Sequence, residues 1–381
     1  MSLLTLLRGA ELFDPAPRGH RDLLLAGGVV VAIATSIDPG ALDCEIIDAR
    51  GCIACPGLVD SLVHLSGGGG EGGFATRTRA LDAAEAIAGG VTTLIGALGT
   101  DDVTRTLPDL LANARALAAH GLTAYALTGS YRVPVRTLTG HVRDDLVLVP
   151  DILGVGEIAI ADHRGSHPSA DELARIGADA RVGGMLAGKA GTVLVHVGDA
   201  ANALALLEEV ATRHPVPRTQ WLPTHANRHA ALLDDAMRWI EAGGYADLTT
   251  STTAALLEAG EVPAARALAR MLEAGLPVER ITLSSDGQAS LPHFGADGRL
   301  IDLQVASVGS LLDCLREAVN ACGVPLEVAL QAATSTPAAV WGLPSKGRLV
   351  PGADADVLLL DRESLALRMT IARGRVHRVA V

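Results

Sequence analysis

Eight short apolar runs, each followed by helical text, constrain this chain more than any other feature of its sequence. They are Leu58 to His64, Val91 to Leu98, Leu122 to Thr128, Ile152 to Ile160, Val193 to Val197, Gln220 to His225, Tyr245 to Thr250 and Ile281 to Ser285. Runs so short and so apolar suit parallel strands covered on both faces. The text between them is rich in Ala and Leu with charges on one side, as in Ala200 to Arg213 and Ala264 to Glu273. That is the pattern of amphipathic helices. Alternating strands and helices allow an open doubly wound sheet or a (β/α)8 TIM barrel. Eight units point to the α/β barrel, and the placement of polar residues separates the two.

The flanks read differently from the middle. Residues 4 to 56 hold strand-like runs such as Asp22-Leu23-Leu24-Leu25 and Val29-Val30-Val31-Ala32-Ile33, broken by Gly and Asp-Pro turns. The same style returns after 345, in Asp356-Val357-Leu358-Leu359-Leu360 and Arg368-Met369-Thr370-Ile371. The expected organisation is a small β-sandwich domain built from both termini, 1–56 and 345–381, around a barrel over 57–344.

Composition supports a large aliphatic core. Hydrophobic residues make up 49% of the 381 and aromatic ones only 2%, so packing rests on Ala, Leu and Val. A formal charge of -12 argues against nucleic acid or an anionic membrane as partner. No run is long enough to span a bilayer, and the N-terminal text shows no charged leader. Five cysteines do not suggest a disulfide framework. The C-x-x-C of Cys52 and Cys55 lacks a thioredoxin-like surrounding and reads as small thiols buried at a strand end. A reducing cytoplasm is the expected compartment.

In a TIM barrel, chemistry sits at the C-terminal ends of the strands. The unusual polar residues lie there. His64 ends the first run, Glu157 lies in the fourth, His196 in the fifth, His225 ends the sixth, and Asp286 follows the eighth. A single buried His is usually structural, but three with two acids at matching strand ends suit zinc or a similar divalent ion.

Several longer motifs share a pattern. They are Pro56-Gly57-Leu58-Val59-Asp60, Gly67-Gly68-Gly69-Gly70-Glu71, Ala161-Asp162-His163-Arg164, Leu222-Pro223-Thr224-His225-Ala226-Asn227-Arg228 and Leu283-Ser284-Ser285-Asp286-Gly287. Together they resemble the amidohydrolase superfamily, and within it the isoaspartyl (β-aspartyl) dipeptidases, over nearly the whole chain. The resemblance implies two zinc ions held by His64, Glu157, His196, His225 and Asp286. Glu157 stands at the bridging position, often a carboxylated Lys in the family. It also implies hydrolysis of an isopeptide bond by metal-activated hydroxide, with Asp286 moving the proton and Tyr131 meeting the oxyanion. Glu71 would take the substrate ammonium, Arg164 and Arg228 would grip carboxylates in fork geometry, and Gly69, Thr100 and Ser290 would complete the contacts.

One position departs from the family pattern. Where a His-x-His is expected, the chain reads Leu62-Val63-His64. Residues two apart in a strand share a face, so Leu62 occupies the side of a missing ligand. The metal site that keeps only His64, Glu157 and Asp286 is expected to be weakened or partly empty. Two other readings follow: an amidohydrolase for a cyclic amide or N-acyl amino acid, and a relative whose catalysis is weakened or lost through Leu62. Asp162 and His163 flank Arg164 as candidate supports, and His214, His229 and His293 are assigned no role. By analogy with the superfamily, a homo-oligomer is expected.

Overall fold

The computed structural model describes residues 4–201, 203–295 and 299–378. All eight runs are strands: β1 (Leu58–Val63), β2 (Val91–Gly96), β3 (Thr123–Thr128), β4 (Ile152–Ile160), β5 (Val193–Val197), β6 (Trp221–Thr224), β7 (Ala246–Thr249) and β8 (Ile281–Ser284). Strands β1 to β6 form one parallel sheet in chain order, and β7 pairs in parallel with β8. β7 lies against β6, and β8 against β1. Hydrogen bonds tie both seams: Ala226 N donates to Asp247 O (3.1 Å), and His64 N to Gly287 O (2.8 Å). The domain is TIM-barrel-like, with helices between successive strands.

Burial explains why the runs were legible. Every residue of β1, β2, β4 and β5 is buried, so both faces demand apolar side chains. Inside the ring, Val59, Leu62, Ile95, Leu127, Leu194 and Leu222 pack together with Trp341. Trp341 closes the N-terminal end of the strands, where its indole donates to Ser61 Oγ (3.1 Å). Outside, a larger cluster joins the strands to the helices. The helix at Ala264–Glu273 has the bounds expected from its text, whereas the one expected from Ala200 begins at Ala205.

The flanking strands Leu4–Asp14, Ala16–Ala26, Val29–Ala34, Cys44–Asp48 and Cys52–Pro56 join Val357–Asp361, Leu367–Ala372 and Arg375–Arg378 in one mixed sheet. The two ends of the chain meet where Val357–Asp361 pairs antiparallel with Cys52–Pro56. This sheet carries its own apolar cluster, including Leu7, Leu12, Leu23, Leu25, Leu359 and Ile371. Buried Lys346 staples it to the barrel, with Nζ 2.7 Å from both Asp354 and Asp356 and 2.6 Å from Thr123 Oγ1.

An antiparallel hairpin, Ser290–Phe294 with Leu300–Val305, leaves the barrel directly after β8. No described helix is long and apolar enough to cross a membrane.

Candidate active site

The C-terminal ends of the strands converge on one cleft. His64 and His225 follow β1 and β6 immediately, and Asp286 comes two residues after β8. Glu157 and His196 project from β4 and β5 themselves. His225 (φ 63°) and Asp286 (φ 52°) both adopt the left-handed backbone region. That conformation costs a non-glycine residue about 1 kcal/mol or more and recurs at functional sites. Here it occurs where the chain leaves the strand and the side chain turns over the barrel mouth.

The two oxygens of Glu157 face different partners. Its Oε2 lies 3.3 Å from His196 Nδ1 and 3.7 Å from His225 Nε2, and those ring nitrogens are 3.0 Å apart. Its Oε1 lies 3.6 Å from His64 Nε2, which stands 3.1 Å from Asp286 Oδ1. Donor atoms of Glu157, His196 and His225 all fall within 4.8 Å of one another, close enough to hold a metal ion. Glu157 Oε1 and Asp286 Oδ1 are buried without a hydrogen bond. A buried acceptor left unpaired costs about 1–3 kcal/mol. A divalent cation between these groups would satisfy both, so the donor set fits one.

Neighbouring groups select the ring nitrogens. Asp162 Oδ2 lies 3.0 Å from His196 Nε2, and Thr249 Oγ1 lies 2.7 Å from His225 Nδ1. With those nitrogens carrying the protons, Nδ1 of His196 and Nε2 of His225 keep free lone pairs toward Glu157. Burial, helped by the Arg228 charge, lowers His225 to about 4, so its imidazole is neutral at pH 7. Burial opposes ionisation of Glu157, but His196, His225 and His64 outweigh it and hold the carboxyl well below its ordinary range. Burial likewise opposes protonation of His64, yet Asp286 and Glu157 raise it to about 9.

Leu62 is fully buried in the interior layer beside Val59 and Ile95 and offers no donor. Gly99 backs His64: a Cβ there would stand 3.1 Å from His64 Cε1.

Two buried carboxylates brace the site, and the sequence reading missed both. Asp60 accepts from Ser285 N (2.9 Å) and Ser285 Oγ, tying β1 to the turn that carries Asp286. Asp247 accepts from Thr224 Oγ1 (2.7 Å), Thr282 Oγ1 (2.6 Å) and Ser284 Oγ, linking β6, β7 and β8. Burial pushes each carboxyl up to about 7. An acid inside an otherwise apolar run was the available signal.

The other expected residues gather around Glu71. Its carboxylate accepts from Thr100 Oγ1 (2.9 Å) and Ser290 Oγ (3.2 Å) and faces Arg164 Nη1 at 3.5 Å. Gly69 holds φ at +73°, and a Cβ there would meet Thr76 O at 2.7 Å and Ser290 Cβ at 2.8 Å, so only glycine fits. Tyr131 is buried, with its hydroxyl 2.7 Å from His196 Nδ1 and the Arg164 guanidinium 5.5 Å from its ring centre. It is part of the site wall, and burial raises its phenol well above the ordinary value.

Both arginines make contacts within the protein. Arg164 spends its fork on Asp162, with Nε and Nη2 at 2.9 and 2.7 Å from the two carboxylate oxygens. Its Nη1 side faces Glu71 at 3.5 Å. Arg228 donates Nε to Val197 O (2.8 Å), and its Nη2 lies 3.2 Å from His196 Nε2.

Asp162 thus positions both His196 and Arg164, whereas His163 is 88% exposed, with Nδ1 3.7 Å from Asp162 Oδ1. His229 caps the helix Ala230–Glu241, and His214 pairs with Asp171. All five cysteines are free; Cys55 is buried and its thiol pushed up to about 12, which leaves it inert, while Cys52 is only half-buried. The cleft also has walls that the sequence did not single out, among them Asn227, Thr249, Leu256, Glu261, Leu291 and Pro292.

The amidohydrolase family pattern matches residues 53–379. The crystal structure of a β-aspartyl dipeptidase from Fervidobacterium islandicum AW-1, in complex with a β-Asp-Leu dipeptide, is 38% identical, with a TM-score of 0.93 over 99% of this chain and 97% of that one. Among curated proteins, an imidazolonepropionase of Anaeromyxobacter sp. (strain K) is 29% identical over 349 residues, 83% of this chain and 77% of that protein. A dihydroorotase of Streptococcus pyogenes serotype M1 is 33% identical over 133 residues, 34% of this chain. That match spans only 30% of the dihydroorotase's length.

Proposed function

The chain belongs to the amidohydrolase family, and on that premise we propose that this hydrolytic enzyme is a metal-dependent dipeptidase cleaving the isopeptide bond of β-aspartyl dipeptides. The observation that carries this reading is the pairing of two features in one cleft. A cation-seeking Glu157-His196-His225 cluster lies beside a Glu71 carboxylate ringed by Thr100, Ser290 and Arg164. A β-aspartyl dipeptide has one ammonium and two carboxylates, and Glu71, Arg164 and Arg228 supply the complementary charges. Dihydroorotate has no ammonium for Glu71 to bind.

His196, His225 and Glu157 would hold one divalent ion, and His64, Asp286 and the second oxygen of Glu157 another, with zinc favoured by the imidazole donors. Such an ion supplies polarisation of the scissile carbonyl and acidification of water. The chain's own groups do the rest. Asp286, beside His64, accepts the proton of the attacking water and returns it to the leaving amine. Tyr131 keeps its proton because burial raises its phenol, so it can donate to the developing oxyanion. Glu71 fixes the ammonium, while the Nη edge of Arg228 and the Nη1 of Arg164 orient the carboxylates. Asp162 locks His196 and Arg164 in register.

At the level of architecture, we read residues 57–344 as a complete (β/α)8 barrel and the segments 1–56 and 345–381 as a β-sandwich domain. Residues 1–3 and 379–381 of that unit lie outside the described residues. A reducing cytoplasm suits five free thiols, and a homo-oligomer with a small dipeptide as its substrate completes the reading.

The deciding assay offers zinc-loaded protein β-Asp-Leu, α-Asp-Leu and dihydroorotate side by side. Cleavage confined to β-Asp-Leu is expected. Turnover of the ring alone would transfer the chain to the cyclic-amide branch of the family.

A further inference from the structure

The contacts assigned so far occupy the metal cluster and the Glu71 side of the cleft. A further part of the cleft wall is built from Asn227, Leu256, Glu261, Leu291 and Pro292 and has no role in the chemistry above. Within it, Glu261 is the one carboxylate. Its side chain is half-buried, and Oε1 is covered without a hydrogen-bond partner. Its backbone is fixed: Glu261 N donates to Leu256 O (3.0 Å), and Val262 N to Asn227 O (2.9 Å). Asn227 Nδ2 returns a bond to Val262 O (2.9 Å). The backbone at Glu261 is therefore anchored to the loop that carries Arg228.

A covered carboxylate oxygen with no donor is a costly arrangement unless something fills it. Burial raises this carboxyl above its ordinary range, against the pull of Thr252 and Arg228. Leu256, Leu291 and Pro292 add apolar wall to the same cleft, alongside the polar Asn227, Thr249 and Ser251. An apolar wall beside a carboxylate with one covered, unpaired oxygen matches a side chain with a methylene stem and a cationic head. The inference rests on the dipeptide reading and takes Arg228, on the loop that fixes Glu261, as the holder of the leaving residue's carboxylate, which directs that residue's side chain toward Glu261.

We propose that Glu261 makes this part of the cleft a subsite for a basic side chain, so that β-aspartyl dipeptides ending in lysine or arginine are preferred over those ending in an aliphatic residue. The test compares kcat/KM for β-Asp-Lys and β-Asp-Leu in the zinc-loaded full chain, as wild type and as E261Q. The lysine-to-leucine ratio is expected to exceed about 10 in the wild type and to fall about tenfold or more in E261Q, roughly the effect of one charged contact. A wild-type ratio at or below one, or a ratio that E261Q leaves unchanged, overturns the subsite while leaving the dipeptidase reading in place. Failure of the wild type to cleave either dipeptide removes that reading, and the subsite with it.

Discussion

Replacing Leu62 by His tests the ligand map at its weakest strand. Leu62 is fully buried among Val59, Ile95 and Leu127. Removing its side chain from that layer forfeits roughly 1.5–3 kcal/mol of transfer free energy. An imidazole placed there without a partner adds about 1–3 kcal/mol for its unmet polar atoms. Metal-free L62H should thus be less stable than the parent by about 2.5–6 kcal/mol. If the new imidazole faces His64, Glu157 and Asp286, zinc recovers much of this loss. A ligand at a hundred times its Kd contributes about 2.7 kcal/mol. The assay is denaturant unfolding of chelator-treated protein, with and without zinc, beside metal analysis and turnover of β-Asp-Leu. The expected result is a zinc-dependent stabilisation larger in L62H than in wild type, with bound metal rising toward two per chain and a gain in kcat. A destabilised variant that zinc does not rescue, with unchanged metal content, would show that position 62 does not look toward the donors.

Two further substitutions probe the supports. Asp162→Asn removes the acceptor that fixes His196 and the fork that fixes Arg164; a fall of about 10–100-fold in kcat/KM or zinc affinity is expected, and wild-type values for both would deny Asp162 its positioning role. Asp247 has a folded pKa of about 7 against an ordinary 3.8. A carboxyl raised on folding binds its proton more tightly in the native state, so its contribution is complete below pH 3.8 and is lost as pH rises toward 7. The lost amount is roughly 4 kcal/mol at about 1.4 kcal/mol per unit. In metal-free protein, D247N should flatten the decline in stability between pH 5 and 7, read by urea unfolding; parallel wild-type and variant curves would contradict it.

Why so much of this molecule was readable follows from where its burial lies. Strands covered on both faces cannot carry polar residues without cause, so an isolated His196 in Val193–Val197 or Glu157 in Ile152–Ile160 stands out in the text. The same logic reached too far at the ends: His64, Thr250, His225 and Ser285 extend the apolar runs in the text but lie just beyond the strands. Asp60 and Asp247 were visible as acids inside apolar runs, yet nothing in sequence tells a bracing carboxylate from a reacting one; their hydroxyl and amide partners do. The left-handed turns at His225 and Asp286 were hidden, because neither residue type marks that backbone as glycine does.

Partner choice was the least legible layer. Arg164 and Asp162 are two residues apart, and adjacency in text left open whether they pair; Nε and Nη2 of Arg164 do hold the two oxygens of Asp162. Glu261 is the one charged residue in a five-residue link between two helices, Ala254–Glu258 and Ala264–Glu273, where a glutamate ordinarily faces solvent. Only the fold shows that this link packs on the Asn227 loop and turns its carboxylate into the cleft. Chemistry that depends on a residue type at a strand end can be read from one dimension, whereas chemistry that depends on which of two charges is already neutralised needs three.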